Sequence, residues 1–183
     1  MKNYVSMNRL IQFLALLAVA GFFSVAQAQV SNLNVSLQMD GGQNRLEVTT
    51  RGQCSNNNHN GCLVVRQGTK ARINFSFGGN KQCNRPGGVS WKVGEVYLGG
   101  KGSSRKPNHW GNLDSQVKAD FSVADASSGR LNKDSGSNDN SIVIFNGNNS
   151  AYDIWYKVTA VCVDASGGVV DTIETDPRIK NEG

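Results

Sequence analysis

The sequence predicts an all-β domain made of two antiparallel sheets packed face to face, and three observations lead there. Short β-branched and aromatic runs alternate with clusters of Gly, Asn and Ser; helical periodicity is almost absent beyond the first 28 residues; and several runs alternate strictly between apolar and polar side chains. Strict alternation gives a strand one dry face and one wet face. Two such sheets cover their dry faces against each other, and the stretch 29–183 is long enough to enclose a core in that way.

Strands are expected at 32–39, 45–50, 62–67, 71–77, 89–98, 116–123, 141–146, 152–163 and 168–175. In the first, Leu33, Val35, Leu37 and Met39 share a face; in the fourth, Ile73, Phe75 and Phe77 do. In the fifth, Trp91 and Val93 point inward, and simple alternation would then bury Glu95. A bulge at Gly94 avoids that, turning Val96 and Leu98 inward and leaving Glu95 and Tyr97 at the surface. In the eighth, Ile154, Tyr156, Val158, Ala160 and Cys162 share a face, the turn residues 164–168 follow, and 169–173 returns as a terminal hairpin. Trp155 has the opposite parity, beside Lys157 and Thr159, and either projects from the outer face or lies under a loop. Pro177 cannot donate to a ladder, so it ends the last strand or protects an edge. The segments 54–62, 99–112 and 126–140 are polar and read as surface loops. No propeller or solenoid period appears.

Residues 1–28 read as a cleaved secretory signal: Lys2 and Arg9 precede a largely apolar run over 10–23, and Ala26 and Ala28 occupy the small-residue positions of a cut before Gln29. The expected product is a single domain, 29–183, exported to the periplasm or beyond, with no membrane span. Losing Lys2 and Arg9 lowers the net charge from +5 by two, to +3, which argues against nucleic acid as a partner. All four cysteines, Cys54, Cys62, Cys83 and Cys162, lie in the exported part, where two disulfides are the default and three pairings are open.

The Tyr, Val and Ala alternation of 156–160, together with Trp91 behind a Phe-rich strand, resembles immunoglobulin-like and fibronectin-III-like sandwiches over residues 62–175. Cys83 departs from that pattern, falling six residues beyond the Phe-rich strand. In such a sandwich the loop holding Cys83 shares an end with the final hairpin, so the resemblance implies a Cys83–Cys162 bridge and, by default, a Cys54–Cys62 bridge. The tail "DPRIKNEG", through Asp176, Pro177, Ile179 and Asn181, resembles the ending of the DP-EP family of small exported bacterial proteins. That resemblance implies no activity.

The chemistry-bearing patterns are sparse. His59 and His109 stand in separate loops without a second histidine at ligand spacing, and export turns Cys54, Cys62 and Cys83 toward disulfides and away from zinc, so neither metal nor cofactor is expected. Ser103 and Lys106 match SxxK, but Pro107 and glycines replace the helix which that nucleophile needs. Asp134, Asn138, Asp139 and Asn140 form an oxygen-rich loop whose twelfth position is Phe145, which excludes an EF-hand. Glu95 lacks an acidic partner on its strand, which disfavours a glycosidase pair.

The most distinctive segment is 99–112, where Lys101, Arg105, Lys106, His109 and Trp110 share a Gly-rich loop. An exposed tryptophan among cations stacks on a sugar or anchors in a partner protein; folded back, it plugs the end of the sandwich. The sequence therefore points to a non-catalytic binding module for an envelope or extracellular glycan or protein, contacted through those five residues. One rival is a periplasmic inhibitor or immunity-type protein that uses the stapled loop 54–62, whose ordering entropy is lost before binding. Another is a hydrolase whose carboxylates meet only in three dimensions.

Overall fold

The computed structural model describes residues 28–50, 54, 61–79, 81–100, 110–138 and 140–183. The chain runs β1 (Gln29–Met39), β2 (Leu46–Thr50), β3 (Leu63–Val65), β4 (Thr69–Phe77), β5 (Ser90–Gly99), α1 (Ser115–Asp120), β6 (Val123–Asp125), β7 (Arg130–Leu131), β8 (Ser141–Asn146), β9 (Ala151–Val163), β10 (Val169–Thr175) and β11 (Arg178–Glu182). Two sheets result. The smaller has the order β2-β1-β4-β8; the larger has the order β3-β11-β9-β5-β7-β6, with β10 paired to the upper half of β9.

The dry faces meet as the alternation requires. Val35, Leu37, Ile73 and Phe75 of the smaller sheet and Trp91, Leu98, Ile154, Tyr156, Val158 and Ala160 of the larger are all fully buried. Phe75 meets Tyr156 edge to face across the sheets, with ring centroids 5.5 Å apart, a geometry that adds to the apolar area removed from water. The two expected bridges are present, Cys54–Cys62 and Cys83–Cys162. Closing 79 residues, the second contributes about 4.5 kcal/mol by chain entropy, and the first, closing 8, about 2.5 kcal/mol. Two disulfides point to an oxidising, non-cytoplasmic compartment. Among the described residues no helix is long and apolar enough to cross a membrane.

The structure corrects the sequence reading at four places. The sheets are mixed: β1 pairs parallel with β4, and β11 pairs parallel with β3. The expected strand 116–123 is largely helix, because the apolar residues that matter are spaced by four: Leu113, Val117 and Phe121 are all buried, and Asp114 caps the turn by accepting the Val117 N–H at 2.9 Å. The β9–β10 hairpin is not the end of the sheet. After Asp176 and Pro177 the chain re-enters as β11 between β9 and β3, and the Pro177 carbonyl accepts the Tyr156 N–H at 2.9 Å. Finally, the segment 126–140 is not all loop, since β7 lies within it and buries Leu131.

The bulge in β5 stands where expected: the ladder to β9 slips between Val93 and Val96. Thr159 fixes it, its Oγ1 accepting the Glu95 N–H at 2.7 Å. A Cβ on Gly94 would come within 2.4 Å of that oxygen, so the bulge requires glycine.

Candidate binding face

Of the five residues singled out in the 99–112 loop, Lys101, Arg105, Lys106 and His109 lie outside the described residues. Trp110 is described and half-buried. Its position follows from a three-way backbone junction. Gly111 donates its N–H to the Leu98 carbonyl at 3.1 Å, and Leu98 donates to the Gly129 carbonyl at 2.9 Å. Both glycines have positive φ, +95° and +74°, and an added Cβ would sit 2.0 Å from the Ser127 carbonyl oxygen or 2.1 Å from the Leu98 one. No other residue fits at either place. The loop that leaves β5 at Gly100 is thereby tied back to β5, which lays Trp110 against the outer face of the larger sheet.

Lys157 of β9 receives it. The ammonium stands 5.3 Å from the Trp110 ring centroid and 4.8 Å from that of Tyr97, so one cation serves two aromatic rings. Such contacts are worth about 0.5–2 kcal/mol, more as water is excluded. The Lys157 side chain is only 16% exposed and pairs with Glu174 at 3.1 Å. Two residues along the same face, Trp155 is 6% exposed, so it is the covered case of the two that parity allowed. Arg178 lies 5.5 Å from its centroid and pairs with Asp153 at 2.7 Å. Trp110 is neither a free anchor nor a core plug: it is a half-covered ring at the end of a cation and aromatic row.

Beside Tyr97 a shallow depression is lined by Lys92, Glu95, Lys133, Thr159 and Thr172. Glu95 lies 3.9 Å from Lys133, and it is the one carboxylate in the described lining. A two-carboxylate site of the glycosidase kind therefore finds no partner here. The buried acid is elsewhere. Asp120, 2% exposed, accepts from the Asn149 N–H at 2.6 Å, the Asn149 amide at 2.7 Å and the Tyr152 hydroxyl at 2.8 Å. Burial, and then Asp120, push the Tyr152 hydroxyl well above its ordinary value, which keeps it a donor. Asn146, Asn148 and Asn181 extend this network around the end of the sandwich. Its donors and acceptors are matched inside the protein, as a structural lock requires.

The oxygen-rich 134–140 segment is arranged differently from a cation loop. The Asp134 carboxylate pairs with Arg72 at 2.8 Å, and Asp139 lies outside the described residues. Among the described residues no three His, Cys, Asp or Glu side chains converge as metal ligands. The root of the stapled loop is firmly held: the Tyr156 hydroxyl donates to the Gly61 carbonyl at 2.7 Å and the Thr50 hydroxyl to the Cys62 carbonyl at 3.0 Å. Residues 55–60, with His59, lie outside the described residues, as do Ser103 and Lys106.

Sequence reasoning missed Lys157 and Arg178 as partners of the tryptophans. The parity that placed Trp155 beside Lys157 was the available signal; the contact with Trp110 crosses 47 residues of chain and has no local signature. No protein-family model matches the chain, and no curated protein matches it. Within the tail 176–183, Ile179 and Asn181 are buried in β11, and Asp176 and Pro177 precede it.

Proposed function

We propose that this protein is an exported, non-catalytic binding module, periplasmic or secreted, that contacts an envelope or extracellular glycan through the outer face of its larger sheet. One observation carries the reading: Trp110 is held half-open by a glycine junction, over Lys157 and next to Tyr97. A half-open ring on a rigid sheet keeps a stacking surface for a sugar and loses little entropy when the sugar arrives. The cations Lys101, Arg105 and Lys106 and the imidazole of His109 belong to the loop rooted beside that ring, and we assign them supporting contacts.

The test is co-sedimentation of the full chain, expressed with export so that both disulfides form, with insoluble peptidoglycan, chitin and cellulose. At least one should retain the protein, and Trp110→Ala should weaken retention about tenfold or more. Retention by none of them, or retention indifferent to Trp110→Ala, contradicts the reading.

The inhibitor reading draws support from the two buried hydroxyls that pin the root of the 54–62 loop. It locates the contact at Asn56 to Asn60, so substitutions there should abolish binding to a hydrolase while Trp110→Ala leaves it intact.

A further inference from the structure

The row that holds Trp110 continues onto a third strand. β5 pairs with β9 so that Tyr97 stands beside Lys157, and with β7 so that Tyr97 stands beside Arg130. Side chains at paired positions share a face, and Leu131, the next residue of β7, is buried in the core. Arg130 therefore lies on the outer face, exposed, with Tyr97 between it and Lys157. The glycine junction brings it next to Trp110 as well. Gly129 and Gly111 meet backbone to backbone, since a Cβ on the first would fall 2.8 Å from the amide nitrogen of the second. Arg130 directly follows Gly129, and Trp110 directly precedes Gly111.

Arg130 differs from the neighbouring cations in lacking a carboxylate. Lys157 is committed to Glu174 at 3.1 Å, Arg178 to Asp153 at 2.7 Å and Lys133 to Glu95 at 3.9 Å. Among the described residues Arg130 makes no ion pair. Asp125, its register partner on β6, accepts instead from the Ser127 and Ser128 hydroxyls. The loop rooted at the same junction adds charge of one sign only, because 99–112 holds Lys101, Arg105 and Lys106 and no Asp or Glu.

A half-open ring beside an unmatched guanidinium suits a ligand with an apolar face and a negative group. The two parallel N–H groups of a guanidinium match the two oxygens of a carboxylate. A chain charged at every unit, as a nucleic acid is, would press its other charges against Glu95, Glu174 and Asp125, which flank the row. A glycan whose carboxylates are spaced by neutral sugars meets Arg130 without that repulsion.

We propose that the glycan bound at Trp110 is acidic: one sugar ring stacks on Trp110, and Arg130 pairs with a carboxylate on that sugar or the next. The inference rests on the Trp110 reading and adds the class of glycan to it.

Two-dimensional NMR titration of the ¹⁵N-labelled full chain, following the backbone signals of Tyr97, Gly111 and Arg130, tests it with matched pairs. One pair is a hexasaccharide of alternating glucuronate and N-acetylglucosamine and its neutral methyl ester. The other is a tetrasaccharide of alternating N-acetylglucosamine and N-acetylmuramic acid and chitotetraose, which lacks the lactyl carboxylates. At least one acidic probe should bind about tenfold or more tighter than its neutral mate, and Arg130→Gln should cut that preference to about twofold or less. Trp110→Ala should weaken both members of the pair. The proposal is overturned if the neutral mates bind as tightly as the acidic probes, an outcome that leaves the Trp110 reading intact. It is also overturned if the preference survives Arg130→Gln, or if oligothymidylate binds as tightly as the acidic probes. Binding of no probe overturns it too, and co-sedimentation with the insoluble glycans then decides the Trp110 reading separately.

Discussion

The two outer faces of this sandwich are built on one rule and equipped in opposite ways. Both arise from strict alternation, which sends every second residue of a strand to water. On the smaller sheet those positions hold short amides and hydroxyls, Asn32, Asn34, Ser36, Asn74 and Ser76, set beside Lys70, Arg72, Val143 and Phe145. On the larger sheet they hold Tyr97, Trp155 and Lys157, long side chains that stack and pair with charge. The common scaffold supplies rigidity; the residue types at outward positions decide what each face can hold. A second difference follows from chain connectivity. The amide face is made by neighbouring strands alone, whereas Trp110 reaches its face from a loop and needs the Gly111, Gly129 and Leu98 junction to stay there.

Breaking what the faces share should have the largest effect. Replacing Cys83 and Cys162 by alanine should cost about 4.5 kcal/mol, against about 2.5 kcal/mol for Cys54 and Cys62, in denaturant titrations of the exported chain. The first pair should loosen both faces together. Equal losses for the two pairs would mean that loop length does not govern their contributions.

An intermediate effect separates the faces. Gly129→Ala places a Cβ 2.1 Å from the Leu98 carbonyl oxygen and holds a non-glycine residue at positive φ. The expected cost is about 2 kcal/mol or more. The signals of Trp110 and Tyr97 should move while those of Asn34 and Asn74 stay. Equal displacement on both faces would show the junction to be global and not local.

The layered architecture, the inward faces and the Gly94 bulge were legible in the sequence, because period-two alternation acts through neighbouring residues; compartment gave two disulfides, and their pairing, Cys54–Cys62 and Cys83–Cys162, was implied only by the resemblance to immunoglobulin-like sandwiches. What escaped reading has a physical reason in each case. The helix α1 hides in a run, Val117, Ala119, Phe121 and Val123, whose alternation mimics a strand, and the deciding signal is the Asp114 cap together with Leu113 at helical spacing. β11 follows a proline that looks terminal, and its place between β9 and β3 is set by pairing across about 25 and 116 residues. The Trp110 contact with Lys157 and the place of Arg130 beside Tyr97 exist only after distant strands have been brought side by side.

The smallest expected effect is a pH response confined to one face. The Ser127 hydroxyl first, then the Ser128 hydroxyl, hold the Asp125 carboxyl down to about 2 from its ordinary 3.8. The fold thus favours the carboxylate more than the unfolded chain does. Its contribution is complete above about pH 4 and is lost as pH falls toward 2. Because the Ser127 carbonyl abuts Gly111, acid should alter Trp110 fluorescence reversibly before the chain unfolds, and Asp125→Ala should remove that step. An unchanged step in the variant would place its origin elsewhere.

Everything assigned to the larger sheet depends on Trp110 being half-open while the other two tryptophans are sealed. Trp91 is 0% and Trp155 6% exposed. Iodide quenching measures this directly. The parent chain should show one quenchable fraction that Trp110→Phe removes, leaving a residual emission that iodide does not reach. A quenchable fraction that persists in Trp110→Phe, or a parent chain in which no tryptophan is quenched, would contradict the account.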